Sequence, residues 1–297
     1  MTRLGLLTPV VSVLPRAHGD WEETAGVAEL TDIARAADRL GYHHLTCSEH
    51  LAVPSRHTAV RGSRYWSPAV TLSYLAAVTT RIRLATYVVV LPYHHPLELL
   101  KTYGTLDQVS QGRVILGVGI GSLRSEFAAL GANFEERAAV SEDAMRALRQ
   151  GLSSDTPAYS GRFFKFEGLV VDPSARQARL PLWVGGNTAL SLRRAVLLGD
   201  GWMPFGLSPT QLGEMIESTK CSTAYTQRSE ALEVVLAPDK PLDPILEPQA
   251  ALAVVAELER VGATIVNARV RAESASHCVE QLTALAELLG LPLESTA

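Results

Sequence analysis

Eight short runs of β-branched and aliphatic residues recur along this chain, separated by stretches with helical spacing, and that alternation limits the fold more than any other feature. The runs are Leu4–Thr8, His43–Cys47, Ile82–Leu91, Val114–Val118, Leu182–Val184, Gly201–Met203, Leu232–Leu236 and Thr264–Val270. After the first, Val27, Leu30, Ile33, Ala34, Ala37 and Leu40 recur on one helical face, and Gly41 stands where helices end in left-handed geometry. A similar pattern, through Leu252, Val255, Ala256, Leu258 and Val261, closes at Gly262, and a last helix over about Ser276–Leu289 closes at Gly290. Eight strand–helix units predict an α/β fold, a closed (β/α)8 TIM barrel, which typically takes about 250 residues. An open doubly wound sheet shares the alternation, but the count of eight and the lack of a boundary favour the barrel. The length of 297 residues lies near the limit for one hydrophobic core, so residues 1–297 are expected to form a single domain. Two stretches break the rhythm. Tyr159–Val171 reads as a β-hairpin inserted between strands four and five, and Ala237–Pro248 as a proline-rich loop after strand seven.

Composition excludes several classes of partner. The net charge of −4, without blocks of like charge, gives no footing for nucleic acid or an anionic membrane. The apolar runs are far shorter than the roughly 18 residues of a membrane span, and Met1–Pro9 is too short a hydrophobic run for a secretory signal. Cys47, Cys221 and Cys278 form no CxxC or disulfide framework. A soluble, cytoplasmic protein is the expectation.

In such a barrel, functional groups come from the C-terminal strand ends, and four unusual stretches fall there: Ser48-Glu49-His50, Leu91–Pro96, Gly117–Ser122 and Gly185-Gly186-Asn187-Thr188. Each alone is also an ordinary chain turn. In the last, two glycines allow close backbone approach, Asn187 or Thr188 can cap a helix, and the free amides with the helix dipole make an anion site suited to phosphate. The run Gly117-Val118-Gly119-Ile120-Gly121-Ser122 is not a dinucleotide fingerprint, because Ser122 stands where the third glycine is needed. It reads either as backbone approach to something flat and bulky or as packing against a neighbouring loop. His50 is a candidate acid–base, since histidine changes charge nearest neutral pH; a structural histidine is the alternative. No pair among His43, His44, His50, His57, His94 and His95 has HxH or HExxH spacing, so no metal is expected. GxSxG and GxxxxGK[ST] motifs are both missing.

Thr80–Pro92, continuing through Pro96, Lys101, Leu106-Asp107-Gln108 and Ser110-Gln111-Gly112-Arg113, resembles the bacterial luciferase-like monooxygenase superfamily. So do Leu116–Gly121, Glu126, Gly131, Val184–Asn187, Arg193-Arg194-Ala195 and Gly199–Trp202, so the likeness runs over nearly the whole chain. It is most similar to the branch that uses the deazaflavin F420. The resemblance implies a barrel whose strand ends hold F420 or, alternatively, FMN. It implies that Gly185, Gly186, Asn187 and Thr188 receive the cofactor phosphate, and that Thr86, Tyr87, Val88, Gly117 and Gly119 face the ring. It implies a bulge with a non-proline cis peptide near Tyr87-Val88, and a Glu49-His50 pair in which Glu49 belongs to the cofactor site and His50 handles the proton. A small organic substrate and a homodimer are further implications, with a separate flavin reductase if FMN is used; a homologue that has lost catalysis is the third alternative. Departures from the family pattern fall at Ser122-Leu123, where many relatives carry tryptophan, at Ser67, where an aspartate often stands, and at Tyr103, where alanine is usual. The substrate pocket is expected around Pro54–Trp66, the hairpin and Ala237–Pro248.

Overall fold

The computed structural model describes residues 2–15 and 18–291. Its strands are β1 (Arg3–Leu6), β2 (His44–Cys47), β3 (Arg83–Thr86), β4 (Val89–Val90), β5 (Val114–Gly119), β6 (Tyr159–Ser160), β7 (Lys165–Phe166), β8 (Leu182–Gly185), β9 (Gly201–Met203), β10 (Glu233–Leu236) and β11 (Ile265–Ala268). β1 pairs in parallel with β2 on one side and β11 on the other, and β3 pairs with β5, so the ring β1-β2-β3-β5-β8-β9-β10-β11 closes. This is the expected TIM barrel.

The alternation of side chains explains why the strands read as continuous apolar runs. Ala85, Ile115, Trp183, Met203, Val235 and Ile265 form a cluster of their own inside the barrel. Their chain neighbours Leu84, Val114, Leu116, Leu182, Val184, Val234, Leu236 and Val266 belong to the larger core around it. Both faces of each strand are therefore dry, as parallel sheets require. The covering helices are α1 (Val27–Arg39), α2 (Thr58–Arg61), α3 (Pro68–Val78), α4 (Pro96–Val109), α5 (Arg124–Leu130), α6 (Arg137–Gly151), α7 (Ala189–Leu198), α8 (Pro209–Lys220), α9 (Thr223–Thr226), α10 (Pro248–Arg260) and α11 (Ala275–Leu288). On α1 the middle of the predicted stripe is buried: Leu30, Ile33, Ala34 and Ala37 are fully enclosed, whereas Val27 at its start is exposed, and each large buried aliphatic contributes roughly 1.5–3 kcal/mol. Gly41, Gly262 and Gly290, read as helix ends, have φ of 77°, 113° and 62°.

Carboxylates nail the strands at the N-terminal face. Asp38 at the end of α1 accepts from the amides of Thr80, Arg81 and Ile82 at 2.8, 2.9 and 2.6 Å, which sets the entry to β3. Burial opposes its charge, but these bonds outweigh that and lower its pKa. Asp200 receives the Leu182 amide at 2.8 Å and Arg149 at 2.6 Å, fixing β8 in the same way.

Two segments refine the sequence reading. The inserted hairpin exists as antiparallel β6–β7, but it docks on α6: buried Asp143 accepts from the Tyr159 hydroxyl at 2.6 Å and the Phe163 amide at 2.7 Å. The run expected as one strand, Ile82–Leu91, is broken into β3 and β4, with a cis Tyr87-Val88 peptide between them. β3 pairs with the start of β5, whereas β4 pairs with its end at Val118 and Gly119. Hydrophobicity does not register such a break, because both halves are buried.

Candidate active site at the barrel mouth

Four of the segments at the C-terminal rim carry the expected residues, and for Glu49 and His50 the partners lie far along the chain. The segment after β2 places Glu49 and His50 side by side in sequence and in separate clusters in space. Buried Glu49 accepts from the Val90 amide at 2.7 Å and lies 3.0 Å from His94 Nε2. It thereby holds β4 and the turn after it. His94 also meets Glu98 at 3.4 Å. Burial disfavours its charge, yet the hydrogen bond to Glu49 and the charges of Glu49 and Glu98 outweigh this and raise its pKa.

His50 pairs instead with Glu126 on α5, its Nδ1 lying 2.8 Å from a carboxylate oxygen. Glu126 is buried and accepts also from the amides of Leu51 (2.6 Å) and Ala52 (3.1 Å) and the Tyr93 hydroxyl (3.1 Å). Burial opposes its charge, but the bonds from His50, Ala52 and Leu51 hold the carboxyl below its usual range. Burial and the same carboxylate push the Tyr93 phenol up. Tyr65 packs edge-on against His50 with ring centroids 4.6 Å apart. His50 Nε2 has no hydrogen-bond partner among the described residues. The sequence reading did not give Glu126 a role, because it lies 76 positions away and only the fold brings it to His50.

The glycines of β5 and β8 serve the cis bulge. A Cβ on Gly119 would come within 2.6 Å of Val88 Cγ2, and one on Gly185 within 2.8 Å of Val88 Cγ1. A Cβ on Gly117 would collide with the Thr86 carbonyl, while the Thr86 hydroxyl donates to the Gly117 carbonyl at 2.7 Å. Of the two readings of the Gly117–Ser122 run, these glycines take the second: they pack against the neighbouring β3–β4 segment. Ser122 accepts from Arg61 at 3.3 Å, and Tyr103 is buried on α4.

Thr188 caps α7, accepting from the Ser191 amide at 3.2 Å, and Ser191 Oγ accepts from the Thr188 amide at 3.1 Å. Trp202 Nε1 donates to the Gly186 carbonyl at 3.0 Å, which pins the turn. Asn187, Thr188, Ala189 and Leu190 are exposed, and the Ala189 and Leu190 amides have no partner among the described residues. They are free donors at the positive end of a ten-residue helix.

Beside these groups lies a cavity of about 290 Å³ at the barrel mouth. Its polar wall includes Thr8, Thr46, Ser48, Tyr87 and Arg269, and the Ala237-Pro238-Asp239 segment of the proline-rich loop closes one side. Of the three segments expected to shape the pocket, that loop lines this cavity; the hairpin and Pro54–Trp66 do not, although Tyr65 touches His50. His50 and Gly185–Thr188 lie outside its lining. Burial pushes the Tyr87 phenol up to about 12. The remaining histidines are separated: His43 and His44 lie at the opposite, N-terminal end on β2 and just before it. No group of three metal-ligating side chains occurs among the described residues.

A family model for luciferase-like monooxygenases matches residues 8–290. The chain belongs to that family. An uncharacterized protein of Mycobacterium tuberculosis is 31% identical over 183 residues, 57% of this chain and 65% of that one. This luciferase-like chain thus spans somewhat less than two thirds of the relative's length. Among solved structures, monooxygenase RslO1 from Streptomyces bottropensis superposes with a TM-score of 0.76 at 20% identity, over 97% of this chain and 98% of that one. An F420-dependent secondary alcohol dehydrogenase in complex with an F420-acetone adduct gives 0.74 at 14% identity, covering 99% of both chains. The oxygenating constituent of 3,6-diketocamphane monooxygenase from Pseudomonas putida, in complex with FMN, gives 0.73 at 14%, also over 99% of both. At these identities the structures establish the shared fold. No helix among the described residues is long and apolar enough to cross a membrane.

Proposed function

We propose that this luciferase-like chain, acting as a single domain, is an F420-dependent oxidoreductase that transfers a hydride between the deazaflavin and a small organic substrate. The observation that carries the reading is His50, with Nδ1 2.8 Å from the Glu126 carboxylate and Nε2 unengaged at the rim. A carboxylate at Nδ1 selects the tautomer with its proton there, leaving Nε2 to take up or give the proton that accompanies hydride transfer. Tyr93 and two amides keep Glu126 in place, so the imidazole is oriented before a ligand arrives.

The residues present fit a phosphate-bearing tricyclic cofactor. The unpartnered amides at the start of α7 suit its phosphate, and Tyr87 lines the mouth cavity, where a flat ring would rest. Gly185, Gly186, Asn187 and Thr188 would hold the phosphate end; Glu49 acts by bracing β4. When bound, F420 supplies the hydride-carrying ring and the protein supplies orientation and electrostatics. The FMN complex of the diketocamphane enzyme supports a second reading, an FMN-dependent monooxygenase served by dioxygen and a separate reductase. Parallel fluorescence titration of the purified protein with F420 and with FMN tests both. Tighter binding of F420 supports the first reading, and FMN alone supports the second. Binding of neither removes both and leaves a homologue without catalysis.

A further inference from the structure

Away from the rim, at the N-terminal face of the barrel, a second cavity of about 550 Å³ opens between α6, α7 and the segment after α9. Four arginines line it: Arg146 and Arg149 from α6, Arg179 ahead of β8, and Arg228 beyond α9. Leu197, Leu198 and Gly199 place it at the C-terminal end of α7. The amides proposed for a cofactor phosphate lie at the N-terminal end of the same helix. Ten residues of helix put about 15 Å between the two places.

Two of these arginines are committed to the fold. Arg149 donates to the Leu180 carbonyl at 3.3 Å and to Asp200 at 2.6 Å. Arg228 Nη1 donates to the carbonyls of Val196 at 2.5 Å and Gly199 at 3.2 Å. That covers the negative end of the α7 dipole, which would otherwise repel an anion. The other two add charge that the fold does not need. Arg179 brings a second guanidinium to Asp200, whose other oxygen already holds Arg149 and the Leu182 amide. The one ion pair of Arg146 among the described residues is with Glu142 at 3.9 Å, and Arg194 holds Glu142 more closely, at 3.2 Å.

Counting Arg194, five arginines thus stand against Glu142, Asp200 and Glu230, in a chain whose net charge is −4. The crowding is felt: burial, with the charge of Arg179 added to it, outweighs Asp200 and lowers the pKa of both Arg149 and Arg228. An excess of two positive charges suits a dianion, and planar guanidinium forks match phosphoryl oxygens. Exposed Leu197 and buried Met145 add apolar wall to a space much larger than a bare phosphate fills.

We infer that this cavity is a second ligand site, which takes an organic phosphate in its dianionic form through the surplus charge of Arg146 and Arg179. The inference stands apart from the cofactor reading of the rim and does not depend on it.

The test titrates the isotope-labelled full chain by NMR with phenyl phosphate, phenyl sulfate and inorganic phosphate. Phenyl sulfate has the shape of phenyl phosphate but a single charge at any pH, whereas a phosphate ester gains its second charge at about pH 6. At pH 8 phenyl phosphate should bind about tenfold more tightly than phenyl sulfate and at least about threefold more tightly than inorganic phosphate. At pH 5 the first ratio should shrink to about twofold. The largest amide shifts are expected at Leu198, Gly199 and Ser229. Arg146→Gln and Arg179→Gln, at side chains 50% and 54% exposed, should each weaken phenyl phosphate by about threefold or more. Equal binding of the two esters at pH 8, inorganic phosphate binding as tightly as its ester, shifts confined to Gly186–Leu190, or unchanged affinity in the folded double variant overturns the inference. Should Arg179→Gln fail to fold, Arg146→Gln, which leaves Asp200 untouched, and the wild-type pH dependence decide the matter.

Discussion

The two ends of the barrel treat histidine in opposite ways. At the N-terminal end, buried His44 and half-buried His43 lie beside Arg3 and Arg83, with their Nδ1 atoms 3.0 Å apart. Burial first, and then the neighbouring arginines, lower His43 to about 3; burial, His43 and both arginines take His44 well down. At the C-terminal end, His94 and His50 each face a buried carboxylate, and His94 is shifted upward. The same side chain is thus a neutral packing element at one end and the hydrogen-bond partner of a buried carboxylate at the other. Partners supplied by the fold make the difference. Carboxylates hold backbone amides at both ends, Asp38 and Asp200 at one and Glu49 and Glu126 at the other, but only the second pair also meets imidazoles.

Breaking the rim is expected to have the largest effect. His50→Ala should lower turnover by about 10²–10⁴-fold while cofactor affinity holds, read by steady-state kinetics beside a fluorescence titration; unchanged turnover would remove the acid–base role. Glu126→Gln should lower turnover less and shift the pH profile, since it releases Nδ1 without deleting the ring.

The contrast between the ends also predicts pH effects of opposite sign. The folded-state pKa values of His43 and His44 lie below the unfolded value of 6.5, so the unfolded chain takes up protons first. Stability should fall as pH drops from 6.5 toward about 3, by up to about 1.4 kcal/mol per pH unit for each ring. His94, raised by Glu49 and Glu98, works the other way: its contribution is complete below 6.5 and lost as pH rises through the raised value. Urea denaturation across pH measures the balance. His43→Asn should flatten the acid limb, whereas Glu49→Gln should reduce the low-pH gain from His94.

Smaller effects sharpen the picture of the rim. Gly117→Ala forces a methyl against the Thr86 carbonyl and should destabilise by about 1–3 kcal/mol, measured by denaturant midpoint; a neutral result would mean the bulge can move. Thr188→Ala removes the α7 cap and should cost about 1 kcal/mol, with weaker binding of a phosphate-bearing cofactor as a separate readout.

Much of the barrel was legible beforehand. Periodicity located all eight barrel strands, the α1 stripe and the hairpin, because burial on both strand faces writes itself as uninterrupted apolar runs. The hairpin's docking was not legible, since it depends on Asp143 of α6 reaching Tyr159, Arg162, Phe163 and Phe164 of the hairpin. The Gly117–Ser122 run was seen but its purpose was not: an absent side chain does not say whether a ligand or Val88 fills the space. The cis Tyr87-Val88 peptide was expected from family resemblance alone, and no local spacing marks it.

By itself, then, the amino-acid sequence determined the fold class, the family and the strand ends at which functional groups gather. These follow from local periodicity and from residue identities along one line of chain. Only the tertiary structure decided that Glu126, and not the adjacent Glu49, partners His50, and that Glu49 braces β4 through Val90 and His94. Those facts depend on which atoms lie within about 3 Å across a closed barrel, a distance that hydrogen bonding requires and that sequence separation does not encode.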